Sequence, residues 1–186
     1  MDTKQALMLA ALGLIAERGY ENVSIDDIAA ATANTKGAVY HYFPSKPELY
    51  RRALLHFAKH LTEFATVELD AALQLPQAIE QALAALVTAD VTGTTGLSIQ
   101  DVYYLFFDGM RRFPAIKAQL QDLSRSYLRT VADRIKAQPT QAGARAGEID
   151  ALQFLVWLEG INLITATTGG LIERDDIRAM VARFFA

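Results

Sequence analysis

The chain has 186 residues, of which 52% are hydrophobic and 21% are charged, and its formal net charge is -3. This composition excludes a disordered chain and a uniformly basic surface, so any surface that binds nucleic acid is expected to be local. The absence of cysteine excludes disulfide bonds, thiolate zinc sites and cysteine catalysis.

No apolar run reaches the ~18 residues that a membrane span needs. The apolar stretch 6–16 has the composition of a secretion signal. However, Asp2 offsets Lys4 ahead of it, and no small-residue cleavage site follows. We therefore expect a cytoplasmic protein without a membrane partner.

The helical spacing of apolar residues predicts helices along almost the whole chain. The first is expected over Thr3–Arg18, a second begins after Ser24, and a third follows Thr35 and ends near Tyr42. Ser24 and Asp27 have the spacing of a capping box. Later helices are expected at about 46–73, 77–90, 98–112, 115–138, 148–168 and 173–186, with a loop at 92–96 and a linker at 139–147. The predicted fold class is all-α, with about nine helices.

Two short helices joined by a tight turn near the start of the chain are typical of a helix-turn-helix. The second helix of such a unit enters the major groove of DNA, and its N-terminal half meets the base edges. Here Lys36 supplies a cation, and the small residues Gly37 and Ala38 allow close approach. Val39 and Phe43, four positions apart, are expected to face the protein core.

Three segments, Glu17–Tyr20, Ile25–Ala29 and Lys36–Tyr50, resemble the DNA-binding domain of the TetR family of transcriptional regulators. The resemblance covers about the first quarter of the chain. It implies a three-helix DNA-binding domain over residues 1–46 and a helical ligand-binding and dimerisation domain over residues 47–186. The implied protein is a repressor that leaves its operator when a small, largely apolar ligand binds.

The resemblance also implies roles for single residues at the DNA interface. It assigns base contacts to Lys36, Gly37 and Tyr40, and phosphate contacts to Ser24, Thr35, Tyr42 and Lys46. Ala38 joins them through its small size, and for His41 a phosphate contact and a bystander role are both open. The chemistry agrees, because a lysine can donate to guanine acceptors and hydroxyls suit phosphate oxygens.

Two departures from the family pattern affect this interface. The turn before Thr35 has Ala33-Asn34 in place of a glycine-containing pair, and we expect it to survive with shifted strain because Asn tolerates a left-handed backbone. Residues 1–52 contain six cations and six carboxylates. Non-specific affinity for DNA is therefore expected to be modest and to depend on dimerisation.

The segment 148–168 is apolar nearly all round, and such a helix needs covering on both sides. We expect it to pack on its own domain and on a second copy of the chain, so that the last two helices form a homodimer. The last helix contributes an apolar stripe of Ile177, Met180, Val181 and Phe184. Burial within a monomer is the alternative interpretation.

A small-molecule effector is expected to bind near the aromatic run 102–108. Its polar and aromatic candidates are Tyr103, Tyr104, Phe107 and Asp108, with Trp157, Glu159 and Asn162 as candidates for an opposite wall. Core packing is the alternative for each of them.

Other classes of function fit the sequence less well. His56 and His60 are four apart, with Glu63 near the next turn, and can face a metal together, but nothing supplies an obvious fourth ligand, so we expect neither a metal nor a cofactor. No phosphate loop, nucleophile elbow or HExxH motif occurs, which indicates that the chain is not an enzyme. A helical adaptor that does not bind DNA is the second alternative. The expected partners are palindromic operator DNA, the effector and a second copy.

Overall fold

A computed structural model describes residues 2–67, 75–88, 96–137, 148–168 and 171–185. These ranges form nine α-helices and a 3-10 turn at Tyr20–Asn22, and they contain no strand, which confirms the all-α prediction. None of the described helices is long and apolar enough to cross a membrane. The predicted linker 139–147 and most of the predicted loop 92–96 lie outside the described residues. The helices are α1 (Thr3–Arg18), α2 (Ile25–Ala31), α3 (Lys36–Tyr42), α4 (Lys46–Val67), α5 (Leu75–Thr88), α6 (Ile99–Arg112), α7 (Pro114–Ala137), α8 (Glu148–Thr168) and α9 (Arg174–Phe185).

Side-chain caps determine where the first three helices begin. Asp2 accepts a hydrogen bond from the backbone N–H of Gln5 at the start of α1. Ser24 and Asp27 form the predicted capping box at the start of α2. Thr35 Oγ1 accepts from the backbone N–H of Ala38 at 3.1 Å, which starts α3. Each cap satisfies a backbone donor that the helix itself leaves unpaired.

The turn between α2 and α3 forms without glycine. Ala33 has a φ of 53°, so the left-handed residue is Ala33 and not the Asn that follows it. Asn34 instead closes the turn, because its backbone N–H donates to Ala29 O at 2.8 Å and its side chain donates to Thr32 O at 2.9 Å. The predicted shift of strain therefore falls on an alanine Cβ.

The chain divides into two compact units. The first holds the chain up to Lys59, together with α6 and the start of α7 as far as Gln121. The second holds α5, α8 and α9, with α4 from His60 and α7 from Asp122. The unit that contains the helix-turn-helix thus extends beyond the predicted domain of residues 1–46, which stays a prediction.

Each unit has its own apolar core. In the first, α1 packs against α2 and α6, and α2 packs against α3. In the second, α5 packs against both α8 and α9. Fully or almost fully buried side chains of the first unit include Leu7, Ile15, Ile28, Val39, Phe43, Tyr50, Leu54 and Leu105, and those of the second include Ile79, Leu83, Phe154, Ile161, Ile177 and Val181.

Candidate nucleic-acid interface

The two faces of α3 differ in burial as the sequence predicts. Val39 and Phe43 are fully buried, so one face of the helix and its C-terminal end anchor it to the core. The opposite face is open, and Tyr40 is 47% exposed on it. Of the predicted DNA contacts, Ser24, Thr35, Lys36, Gly37, Tyr40, His41 and Tyr42 are exposed, and Ala38 is half-buried.

Gly37 lies at the second position of α3, where a side chain would project into open space. A Cβ at this position meets only Thr35 Oγ1, at 3.8 Å. Packing inside the protein therefore does not require glycine here. A small residue matters at this position only if something approaches α3 from outside.

Lys36 is held by a carboxylate that sequence reasoning did not connect with it. Its Nζ donates to Asp26 Oδ2 at 2.8 Å, and both side chains are more than half exposed. The hydrogen bond and the charge of Asp26 raise the pKa of Lys36 above its ordinary value. Lys36 is therefore fully charged at neutral pH, and Asp26 is its partner in the absence of DNA.

Lys46 is tied to the backbone ahead of α2. Its Nζ donates to the carbonyls of Tyr20 and Val23, the latter at 2.7 Å, and lies 4.0 Å from the centre of the Tyr20 ring. Burial lowers the pKa of Lys46. Its predicted phosphate contact stays a prediction, and a phosphate would have to share the ammonium group with these carbonyls.

A polar cluster connects the end of α6 to the same 3-10 turn. Arg112 lies 4.5 Å from the centre of the Tyr20 ring and pairs with Glu21. Its Nε also donates to both oxygens of Asp108, at 2.9 and 2.7 Å. Tyr50 of α4 donates to Leu105 O at 3.1 Å and reaches Asp108 at 3.4 Å. The cluster joins the 3-10 turn, α4 and α6 in one hydrogen-bonded group.

The predicted effector residues fall into two sets. On α6 the rings of Tyr103 and Phe107 stack with centroids 6.1 Å apart, and Phe107 is 64% exposed. Tyr104 is also exposed, whereas Asp108 is buried and occupied by Arg112 and Tyr50. On α8, in the second unit, Trp157 is half-buried and Glu159 is exposed, and the Asn162 side chain lies outside the described residues.

In the part of the chain that the structure describes, nothing joins the histidine pair of α4 as a further metal ligand. His56 and His60 are both exposed, and among the described residues no group of three metal-binding side chains occurs. Sequence reasoning missed three charged residues of the first unit, Asp26, Glu21 and Arg112. For Asp26 the only sequence signal is an acid in the first turn of a helix, which the helix dipole already explains.

A short α2, a tight turn and an α3 with one buried and one open face define a helix-turn-helix protein. Residues 7–53 match the family model described as bacterial regulatory proteins, tetR family. The TetC protein of transposon Tn10 from Escherichia coli is 39% identical over 64 residues, or 32% of each chain. The regulator CymR of Pseudomonas putida is 36% identical over 63 residues, or 34% of this chain and 31% of CymR. These alignments span about a third of the two relatives.

Solved structures share the fold over the whole chain. A TetR-family regulator from Mesorhizobium loti has a TM-score of 0.73 at 16% identity, covering 98% of this chain and 94% of its own. A regulator from Saccharomonospora viridis, solved with choline, has a TM-score of 0.71 at 20% identity, covering 97% and 94%. Residues 7–53 are therefore similar to the tetR family of bacterial regulatory proteins, and one curated relative of this segment, CymR, is an HTH-type transcriptional regulator.

Proposed function

We propose that the protein is a homodimeric transcriptional repressor that binds a palindromic operator and releases it when a small effector binds. The open face of α3 carries the proposal. Thr35, Lys36 and Tyr40 are exposed on it, while Val39 and Phe43 fix the helix from the other side. A rigid helix with its N-terminal half free is the geometry that enters a major groove. The protein would act in the cytoplasm, where a bacterial repressor meets its operator.

The apolar face of α8 supports a second copy of the chain as a partner. Leu152, Val156 and Leu163 are each more than half exposed, at 55, 58 and 53%. They follow one another at spacings of four and seven, which places them on one stripe of the helix. Phe154 and Ile161 are buried on another side. A helix that is apolar on both sides suits an interface between two copies, where a palindrome also requires two recognition helices.

Two observations support an effector site within residues 47–186. The hydroxyl of Tyr127 is buried and has no hydrogen-bond partner among the described residues, and a buried polar group of this kind suits a polar group of a ligand. Burial and the nearby Glu159 carboxylate raise the pKa of Tyr127 to about 12, so the hydroxyl remains a donor at neutral pH. Among the similar structures, one was solved with choline and another, the multidrug binding protein EbrR, with imidazole.

The proposed mechanism is a coupling between effector and operator. Two recognition helices must be about 34–36 Å apart to enter successive major grooves. Helix α4 runs unbroken from Lys46 to Val67, so a shift of this helix changes the placement of α3. By linkage, the effector and the operator weaken each other's binding by the same free energy, about 1–3 kcal/mol in such systems.

The first experiment is selection of binding sites from a pool of random duplex DNA by the purified full-length protein. We expect enrichment of a palindrome whose half-sites lie one helical turn apart or a multiple of it. A pool without enrichment would show that the protein is a helical adaptor and not an operator-binding repressor. Compounds that raise the melting temperature then enter reciprocal titrations with the selected operator. A compound that binds equally well with and without operator is not the effector.

A further inference from the structure

The lysine expected to contact bases is paired with an acid on the neighbouring helix. Lys36 is the first residue of α3, and Asp26 lies in the first turn of α2, ten positions earlier. Their 2.8 Å contact is on the surface that α3 presents to solvent, since the two side chains are 54 and 64% exposed. An ion pair this exposed is weak, so another anion or acceptor can replace the carboxylate.

Asp26 and its neighbour Asp27 have different partners. Asp27 accepts from the backbone N–H of Ser24 at 2.7 Å and caps α2, so its carboxylate has a local role in the helix. Asp26 makes no such cap, and its ion pair is with Lys36 alone among the described residues. Capping of α2 therefore accounts for the acid at Asp27, whereas the contact of Asp26 is with a side chain on the exposed surface of α3.

Other cations of the helix-turn-helix segment are also engaged. Lys46 donates to two carbonyls, and Arg51 and Arg52 both pair with Glu48. With six cations and six carboxylates in residues 1–52, each free positive charge has a large effect on binding to phosphates. Pairing Lys36 with Asp26 removes one such charge and adds a carboxylate at the interface.

We propose that Asp26 is a specificity-determining residue. Its ion pair with Lys36 competes with the phosphates of random DNA, and base acceptors of the operator replace it. This rests on the proposed function. On random DNA a phosphate oxygen must displace the Asp26 carboxylate from Lys36 while it remains close to that carboxylate. The two negative charges repel each other, so the net gain in binding free energy is small. At the operator the N7 and O6 acceptors of a guanine in the major groove replace the carboxylate at a fixed place. Asp26 thereby lowers non-specific affinity more than operator affinity.

The test compares Asp26→Asn with Glu17→Gln in the full-length protein. Both changes remove one exposed negative charge from the first unit, but Glu17 lies 3.6 Å from Arg18 and does not pair with Lys36. Fluorescence anisotropy measures the affinity of each variant for the selected operator and for a scrambled duplex over a range of salt concentrations. Thermal melts verify that both variants fold.

We expect Asp26→Asn to strengthen binding to the scrambled duplex about three- to tenfold and to change operator binding less, because one more lysine is free for phosphate. The salt slope on scrambled DNA should steepen by about one unit. Glu17→Gln should leave that slope and the ratio of the two affinities close to those of the wild type. Asp26→Glu should restore the wild-type ratio.

Lys36→Met completes a double-mutant cycle, and in this background Asp26→Asn should have no more effect than Glu17→Gln. A full effect without Lys36 would show simple repulsion of phosphates and overturn the proposal. Weaker operator binding by Asp26→Asn, with unchanged scrambled binding, would show that Asp26 itself contacts a base, and would overturn it too. If the wild type prefers no sequence, the proposed function fails. If the wild type does prefer its operator and Asp26→Asn keeps the same ratio, only this inference fails.

Discussion

At the scale of single residues, Ala33 and Glu48 make opposite contributions to the free energy of unfolding. Ala33 occupies a left-handed conformation, with a φ of 53°, in which its Cβ crowds the following carbonyl. Glu48 has the opposite character, because it receives hydrogen bonds from Arg51 and Arg52 near the start of α4. Ala33 therefore carries backbone strain in the turn between α2 and α3, whereas Glu48 stabilises α4 by pairing with two arginines.

Ala33→Gly should raise the free energy of unfolding by about 1 kcal/mol, because glycine has no Cβ to strain at this φ. The matched control is Ala10→Gly within α1, where the backbone is right-handed. That change should lower the free energy of unfolding by about 1 kcal/mol. Urea denaturation measures both, and a destabilising Ala33→Gly would show that the turn is not strained.

The ion pairs of Glu48 should make the free energy of unfolding fall in acid. The hydrogen bonds from Arg51 and Arg52 lower its pKa to about 2 from an ordinary value of 4.5. Its contribution is therefore fully present above pH 4.5 and disappears as the pH falls through 2. Glu48→Gln should cost about 1 kcal/mol at pH 7, after allowance for solvent screening, and much less near pH 2. Denaturation of both proteins across this range tests it, and a difference independent of pH would contradict the ion pairs.

At the scale of elements, α3 and the 3-10 turn before α2 differ in what limits their side chains: contacts from outside the protein for α3 and contacts within it for the turn. Gly37 on α3 has open space around its Cβ position, so its size matters only toward the outside. The 3-10 turn is constrained from inside, because Lys46 holds its carbonyls and Arg112 lies over Tyr20. Changes at these two elements should separate DNA binding from folding.

Gly37→Ala should raise the free energy of unfolding by about 0.5 kcal/mol through its helix propensity, and it should weaken operator binding by placing a methyl group against the bases. Gly13→Ala in α1 is the control, since a Cβ there also meets nothing within 4 Å. It should stabilise the protein without any change in DNA affinity. Equal affinities for the two variants would place α3 outside the interface.

Lys46→Met should lower the free energy of unfolding by about 1–3 kcal/mol, because the carbonyls of Tyr20 and Val23 lose their donor. If Lys46 also contacts phosphate, affinity for operator and random DNA should fall alike, and the salt slope should decrease by about one unit. Thermal melts and salt titrations separate the two roles. An unchanged melting temperature would contradict the structural one.

At the scale of the whole molecule, the exposed apolar stripe of α8 predicts a dimer. Val156→Glu places a charge in the middle of this stripe, where the side chain is 58% exposed in one copy. Desolvating that charge at an interface is costly, so we expect monomers in light scattering and weak operator binding. Ser126→Glu, at an exposed position of α7, is the control and should remain dimeric. A wild-type protein that is monomeric at micromolar concentration would contradict the prediction.

Local interactions explain why the sequence determines the all-α class and the start of the helix-turn-helix. Asp2, Ser24 and Thr35 each cap a helix through a partner three residues away, so capping patterns and apolar spacing are visible in the sequence. The buried Val39 and Phe43 follow from the same periodicity. The open face of α3 was predictable for this reason, and the resemblance of its motif supplied the expectation of DNA.

Only the tertiary structure decided which charges meet. Asp26 and Lys36 are ten positions apart, Lys46 reaches carbonyls 26 and 23 positions earlier, and Arg112 pairs with Glu21 across 91 positions. No periodicity encodes such contacts, because they depend on how separate helices pack and on which of several similar side chains lies nearest. Residue type also did not reveal the left-handed residue of the turn, because Asn34 closes the turn with two local hydrogen bonds and Ala33 takes the strained position.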